Sequence, residues 1–65
     1  MERANQPELL RITQVLDLYP VSRSRWYAGV KVGDYPQPIR LGKRSVAWFK
    51  SDILDLIEAQ RLQAE

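Results

Sequence analysis

The sequence contains no cysteine and no histidine. Without cysteine, the chain forms no disulfide and offers no thiolate to a metal ion, which is consistent with a reducing cytoplasm. Without histidine, it lacks the commonest general base and the commonest metal ligand. We therefore expect neither an enzyme nor a cofactor.

Long hydrophobic runs are also absent, since no apolar stretch approaches the roughly 20 residues of a membrane helix. The first residues, M-E-R-A-N-Q-P-E, lack the apolar segment of a signal peptide. We expect a soluble cytoplasmic protein without membrane contacts. A chain of 65 residues makes one small domain. We expect residues 1–8 to be a flexible segment and residues 9–65 to fold together.

Positive charge is concentrated in the middle of the chain. Residues 21–50 contain seven of the ten Lys and Arg but only one acid, Asp34, which gives this stretch a formal charge of +6 against +2 for the whole chain. The other acids lie in the flanking segments. This distribution favours a surface that binds a polyanion.

Two short helices are predicted in the first half of the chain. Thr13 is a favourable N-cap for a helix over Gln14–Tyr19, which Pro20 terminates. Ser22 is the N-cap predicted for a second helix from Arg23 to about Val32, and Gly33 is the expected left-handed residue after it. The short turn between them makes this a helix-turn-helix. Gly29 indicates either close approach of another backbone or a weak helix.

The inward side chains of these helices follow from their spacing. Val15, Leu16 and Tyr19 form the predicted apolar stripe of the first helix. In the second helix the expected inward residues are Trp26, Tyr27 and Val30.

A basic β-hairpin follows a connector with two prolines. Residues 38–41 and 45–49 alternate as strands do, and Gly42-Lys43-Arg44 fits the loop between them. The expected inward residues are Ile39, Leu41, Val46 and Trp48. The apolar lead-in at residues 9–12 is either a strand fragment or the start of a packed arm.

A closing helix is predicted from Asp52 to about Gln63, with Ser51 as its N-cap. Its inward stripe is Ile53, Leu56, Ile57 and Gln60. The exposed acids Asp52, Asp55 and Glu58 fit a solvated helix face far better than catalytic carboxylates or metal ligands. The aromatic residues are interpreted as core rather than as platforms for single-stranded bases, except that Tyr27 retains the alternative of a phosphate contact.

The order of these pieces resembles that of the AlpA-type phage regulators, which are related to excisionases and to the DNA-binding half of MerR-type regulators. The residues that carry the resemblance extend from Leu10 to Ala59 and include V-S-R-S, W-Y, G-D-Y-P, P-I-R-L-G, K-R, V-A-W and S-D-I. The resemblance implies a mainly α fold with a small β-hairpin, a winged helix-turn-helix. It also implies that the second helix enters the major groove and that the hairpin contacts the adjacent backbone or minor groove.

Ten side chains are candidates for contact with double-stranded DNA in this docking mode. They are Ser22, Arg23, Ser24, Arg25, Tyr27, Ala28, Lys31, Arg40, Lys43 and Arg44. An arginine bonds a guanine edge through two donors, and a serine or a free helix N–H suits a phosphate. The alternatives are a solvated helix end for the arginines and protection of a strand edge for the hairpin cations. For Arg40 and for Lys50 beside the hairpin, a solubilising role is weighed equally.

The expected function is sequence-specific binding of duplex DNA by a phage or prophage regulator of transcription. One alternative is an excisionase-type factor that bends DNA for an integrase, and another is a small adaptor that inhibits a regulatory protein. The expected partners are double-stranded DNA, further copies of the chain, and an integrase or RNA polymerase, without any small-molecule substrate.

Overall fold

The computed structural model describes residues 8–64, which form three helices and a three-stranded antiparallel sheet. The elements are β1 (Leu9–Leu10), α1 (Ile12–Leu18), α2 (Arg23–Val32), β2 (Ile39–Arg40), β3 (Val46–Phe49) and α3 (Lys50–Ala64). The predicted mainly α fold with a β-hairpin is confirmed. We call β2, β3 and the loop between them the wing. The segment expected to be flexible lies outside the described residues, apart from Glu8.

The sheet has β3 at its centre, between β1 and β2. Leu10 of β1 is opposite Trp48, and Ile39 of β2 is opposite Ala47. The first two residues of the lead-in therefore form a strand fragment, which was one of the two alternatives, and Ile12 belongs to α1. Successive residues of a strand point to opposite faces, yet both Ala47 and Trp48 are fully buried. The central strand is thus covered on both faces.

The start of α1 differs from the prediction. The helix begins at Ile12, so Thr13 lies inside its first turn and the N-cap is Arg11. The Arg11 backbone N–H donates to Gln14 Oε1 at 2.8 Å, a bond that satisfies the donor without a hydroxyl cap. The end of the helix at Leu18, before Tyr19 and Pro20, agrees with the predicted termination by proline.

Both predicted caps of α2 are confirmed. Ser22 Oγ accepts from the Arg25 N–H at 3.1 Å, and Gly33 has a left-handed φ of 88°. The Asp34 N–H donates to the Gly29 carbonyl at 2.8 Å and the Gly33 N–H to the Val30 carbonyl at 3.2 Å. This pair of bonds is the Schellman motif, which turns the chain sharply back along the helix.

The connector after α2 is hydrogen-bonded to the helix on one side and to the sheet on the other. Gln37 Nε2 donates to the Val30 carbonyl at 2.7 Å. Trp48 Nε1 donates to the Pro36 carbonyl at 2.9 Å. These bonds tie the end of α2 to the central strand of the sheet, and thus to the wing.

The core is built by side chains from every large element. Leu10, Val15, Trp26, Trp48 and Ile53 form one buried cluster. The α3 helix begins at Lys50, directly after β3, so Ser51 lies in its first turn and not at the N-cap. Of the stripe predicted for α3, Ile53 is buried and Leu56 and Ile57 are half-buried. Gln60 is exposed because the helix runs past the end of the core.

Two other predicted inward residues face solvent. Leu41 is 48% exposed, since the regular pairing of β2 stops at Arg40 and the chain turns away into the loop. Tyr27 is 40% exposed because the buried side of α2 is occupied by the larger ring of Trp26. Both residues are apolar enough to suggest burial, but neither has a place in this small core.

The glycine inside α2 is explained by an aromatic ring. A Cβ placed at Gly29 overlaps the ring of Tyr35, which the chain reversal brings back onto the helix. The close approach is therefore that of a side chain and not of another backbone. The Tyr35 ring stacks on Trp26 with centroids 4.6 Å apart. Replacing Gly29 by a residue with a Cβ would therefore displace a ring that packs on the core.

Replacement of Gly29 by alanine is expected to destabilise the domain by about 1–3 kcal/mol, as overpacking does in other cores. Alanine favours helix over glycine by about 1 kcal/mol, so a loss of stability would isolate the steric effect. Urea unfolding measures it, with Gly42→Ala as the control because no atom lies within 4 Å of a Cβ there. A Gly29→Ala variant as stable as the wild type would contradict this packing.

Replacement of Trp48 by alanine is expected to cost about 3–5 kcal/mol. A domain of this size has about 3–5 kcal/mol of total stability, so the variant should be unfolded. Leu41→Ala is the comparison, because its exposed side chain predicts a change within about 0.5 kcal/mol. Circular dichroism and urea unfolding distinguish the two, and a folded Trp48→Ala variant would refute the assignment of this core.

Candidate nucleic-acid interface

The face of α2 that points away from the core carries most of the candidate residues. Trp26 is the buried residue of this helix, while Arg23, Ser24, Arg25, Ala28 and Lys31 are all exposed. The structure thus leaves free the side of the helix that was predicted to be outward. The same face continues to Val32, a residue that was not among the candidates and is 70% exposed.

The first turn of α2 has the chemistry of an anion site. It carries Arg23 and Arg25 and no acidic residue, although positive charge at a helix N-terminus opposes the helix dipole. Ser22 uses an oxygen lone pair to accept from the Arg25 N–H, which leaves its hydroxyl proton as a donor. The first N–H groups of a helix have no partner within the helix. Together these donors suit a phosphate oxygen.

The position of Arg25 is also marked by its effect on Tyr19. Partial burial and a hydrogen bond with Tyr35 raise the pKa of the Tyr19 hydroxyl, and the positive charge of Arg25 opposes that rise. The guanidinium therefore lies near the edge of the aromatic core.

Two aromatic contacts place the wing beside α2. The Trp48 ring of β3 meets Trp26 edge-on with centroids 5.8 Å apart. It also meets Tyr27 with centroids 6.1 Å apart. Tyr27 thus lies between the helix and the wing, with part of its ring exposed. This position keeps open a contact of its hydroxyl with a phosphate.

The wing presents its cations to solvent. Arg40 at the end of β2 and Lys43 and Arg44 in the loop are all exposed. The loop is closed by the Leu41 N–H, which donates to the Ser45 carbonyl at 2.7 Å. The strands of the wing are therefore shorter than predicted, and the loop is longer by the flanking Leu41 and Ser45.

The cations of α2 and the wing differ from Lys50 and Arg61 in having no carboxylate partner among the described residues, as Arg11 also has none. Within residues 8–64, no carboxylate lies within ion-pair distance of Arg23, Arg25, Lys31 or the three wing cations. Lys50 Nζ, in contrast, lies 3.7 Å from Glu8 Oε1, and its backbone N–H donates to the Glu8 carbonyl. Arg61 Nη2 lies 3.4 Å from Glu58 Oε2, one turn earlier on α3. Lys50 therefore has a role in joining β1 to α3.

Two acidic residues of α3 line a cleft beside the connector. Asp52 and Asp55 of α3 line an open cleft of about 550 Å³ together with the connector residues Gly33 to Gln37. Among the described residues no cluster of acids is arranged to hold a metal ion. None of the helices in this part of the chain is both long and apolar enough to cross a membrane.

The comparisons with known proteins agree with this architecture. Residues 8–62 match the family model described as prophage CP4-57 regulatory protein (AlpA). A protein of Enterobacteria phage P4, designated uncharacterized protein ORF88, is 35% identical over 48 residues, which are 74% of this chain and 54% of that protein. The chain thus spans about half the length of this relative. No solved structure gives a significant match.

The family match includes α2, the wing and the core that joins them, and the resemblance found in the sequence rests on the same segments. The chain belongs to the AlpA family of prophage regulatory proteins.

Proposed function

We propose that this chain is a sequence-specific duplex-DNA-binding protein that regulates transcription of phage or prophage genes. The observation that carries the proposal is the set of six exposed cations on α2 and the wing that have no carboxylate partner within the described residues. In this function α2 enters the major groove and the wing follows the neighbouring backbone. The family is a regulatory one, which agrees with this role.

This docking geometry implies a role for nine of the ten candidates. Arg23 and Arg25, at the N-terminal end of α2, meet base edges, where a bidentate arginine discriminates by about 1–3 kcal/mol. Ser22 and Ser24 meet phosphate oxygens, and Ala28 and Lys31 continue along the groove. Arg40, Lys43 and Arg44 of the wing provide attraction that does not depend on sequence.

The size of the interface limits the affinity of one copy. One helix and one wing make roughly four to six phosphate contacts, each of which contributes about −0.9 to the slope of log affinity against log salt. We therefore propose that several copies, or a dimer on half-sites about one helical turn apart, act together. Recruitment of RNA polymerase or an integrase is part of this proposal.

Two other functions use the same fold. An excisionase-type factor would bend DNA for an integrase through the same α2 and wing surfaces. A protein-interaction adaptor is favoured by a different feature, the exposed Leu54 and Leu62 on α3. An apolar contact of that kind would depend little on salt, whereas DNA binding weakens steeply as salt rises.

A salt titration with random-sequence duplex DNA tests whether the basic surface binds DNA. Wild-type protein should show a steep slope of log affinity against log salt. The variant with Arg23, Arg25, Lys43 and Arg44 all changed to Ala should show a flatter slope, because Lys43 and Arg44 account for about two phosphate contacts. Lys43→Ala alone should lower the slope by about one. Arg61→Ala is the matched control, since it removes the same charge from α3. Failure of the wild type to bind at low salt would favour the adaptor.

Substitutions of Arg25 test whether α2 reads the sequence. On a duplex selected from a random library, Arg25→Ala should cost about 1–3 kcal/mol and relax the preference at one base pair. Arg25→Lys should retain most binding to random DNA but lose that preference, because lysine lacks the two-pronged donor geometry. Measured affinities for selected and random duplexes give the specificity ratio. An equal loss on both duplexes would exclude base reading by Arg25.

A further inference from the structure

The outward face of α2 contains an apolar strip that none of the roles above explains. Ala28 and Val32 are one helical turn apart and both are exposed, Val32 by 70%. With about 100° of rotation per residue, Arg25, Ala28 and Val32 fall within an arc of about 60°. The strip therefore lies beside Arg25, on the side of the helix proposed to enter the groove.

The surface along this strip is concave. Arg25, Ala28, Gly29 and Val32, with Asp34 and Tyr35, line an open depression of about 250 Å³. Gly29 contributes its backbone to the lining, and the Tyr35 ring occupies the space that a Cβ at Gly29 would take. The depression therefore offers a small group apolar contact on one side and charged groups at its margin.

The chemistry of the depression favours a base edge over a phosphate. The carboxylate of Asp34 at its margin would repel a phosphate oxygen. In the major groove, the one apolar group on a base is the 5-methyl of thymine, which alanine and other small apolar side chains contact. The same A·T pair presents the adenine amino group, a donor that suits a carboxylate.

Resting on the proposed DNA-binding function, we propose that Ala28 and Val32 read thymine 5-methyl groups beside the base pair read by Arg25. The rise from Ala28 to Val32 is about 6 Å along the helix axis, and successive base pairs are about 3.4 Å apart. The two side chains thus meet methyl groups about one or two base-pair steps apart. Val32 is the main contributor, since it offers the larger apolar surface.

The experiment replaces thymine by deoxyuridine, which differs only by the missing methyl. A duplex is selected from a random thymine-containing library, and each thymine is then changed in turn to deoxyuridine. One or two positions should lose about fourfold in affinity, the value of one buried methyl group. At a position read by Val32, the Val32→Ala variant should bind thymine and deoxyuridine duplexes with a ratio near one.

Lys31→Ala is the matched control, because it changes the neighbouring residue of the same exposed face. The Lys31→Ala variant should lose affinity equally for the thymine and the deoxyuridine duplex, so the ratio of the two affinities should stay at the wild-type value. Circular dichroism is used to check that the Val32→Ala and Lys31→Ala variants fold. Both are expected to fold, since neither side chain is in the core.

Three results would overturn the proposal. Tight binding of the selected duplex with deoxyuridine tolerated at every position would establish DNA binding without methyl reading. A Val32→Ala variant that keeps the wild-type sensitivity to deoxyuridine and alters only association between copies would assign Val32 to a protein contact. Absence of binding to any duplex at low salt would overturn the proposed function as well.

Discussion

The stacking of Tyr35 on Trp26 is the contact on which the arrangement of this domain depends. Trp26 is fully buried and also meets Tyr19 and Trp48 edge-on, so one side chain of α2 touches the turn before it, the connector after it and the central strand. Aromatic pairs of this kind contribute about 0.5–1.5 kcal/mol beyond the area they bury. The orientation of α2 is thus set by rings around its single buried residue.

This arrangement separates the residues that hold α2 from those that are free to bind. Because a single large ring anchors the helix, most of its circumference stays exposed, and a helix of ten residues keeps a wide outward face. The Schellman turn and the Trp48 bond to the Pro36 carbonyl then return the chain to the wing. Core and candidate interface therefore use different sides of one short helix.

The features that could be predicted from the sequence are those decided by near neighbours. Ser22 and Gly33 cap α2 through bonds to residues at most five positions away, and Pro20 ends α1 through its own ring. The pairing of β1 with β3, the exposure of Leu41 and the reason for Gly29 depend on residues that are distant in the sequence or on how much room the core has. The exposure of the candidate cations was predictable, whereas the depression along Ala28 and Val32 requires the position of Tyr35.

The mixture of cations and small apolar side chains on α2 has a physical consequence for discrimination. Attraction between cations and phosphates weakens as salt rises, because it derives largely from counterion release. Contact with a methyl group derives from apolar burial and depends little on dilute salt. In the proposed complex with DNA, the sequence-independent part of the affinity would therefore fall first as salt increases. The proposed contacts of the apolar strip beside Arg25 would make the remaining part depend more strongly on base identity.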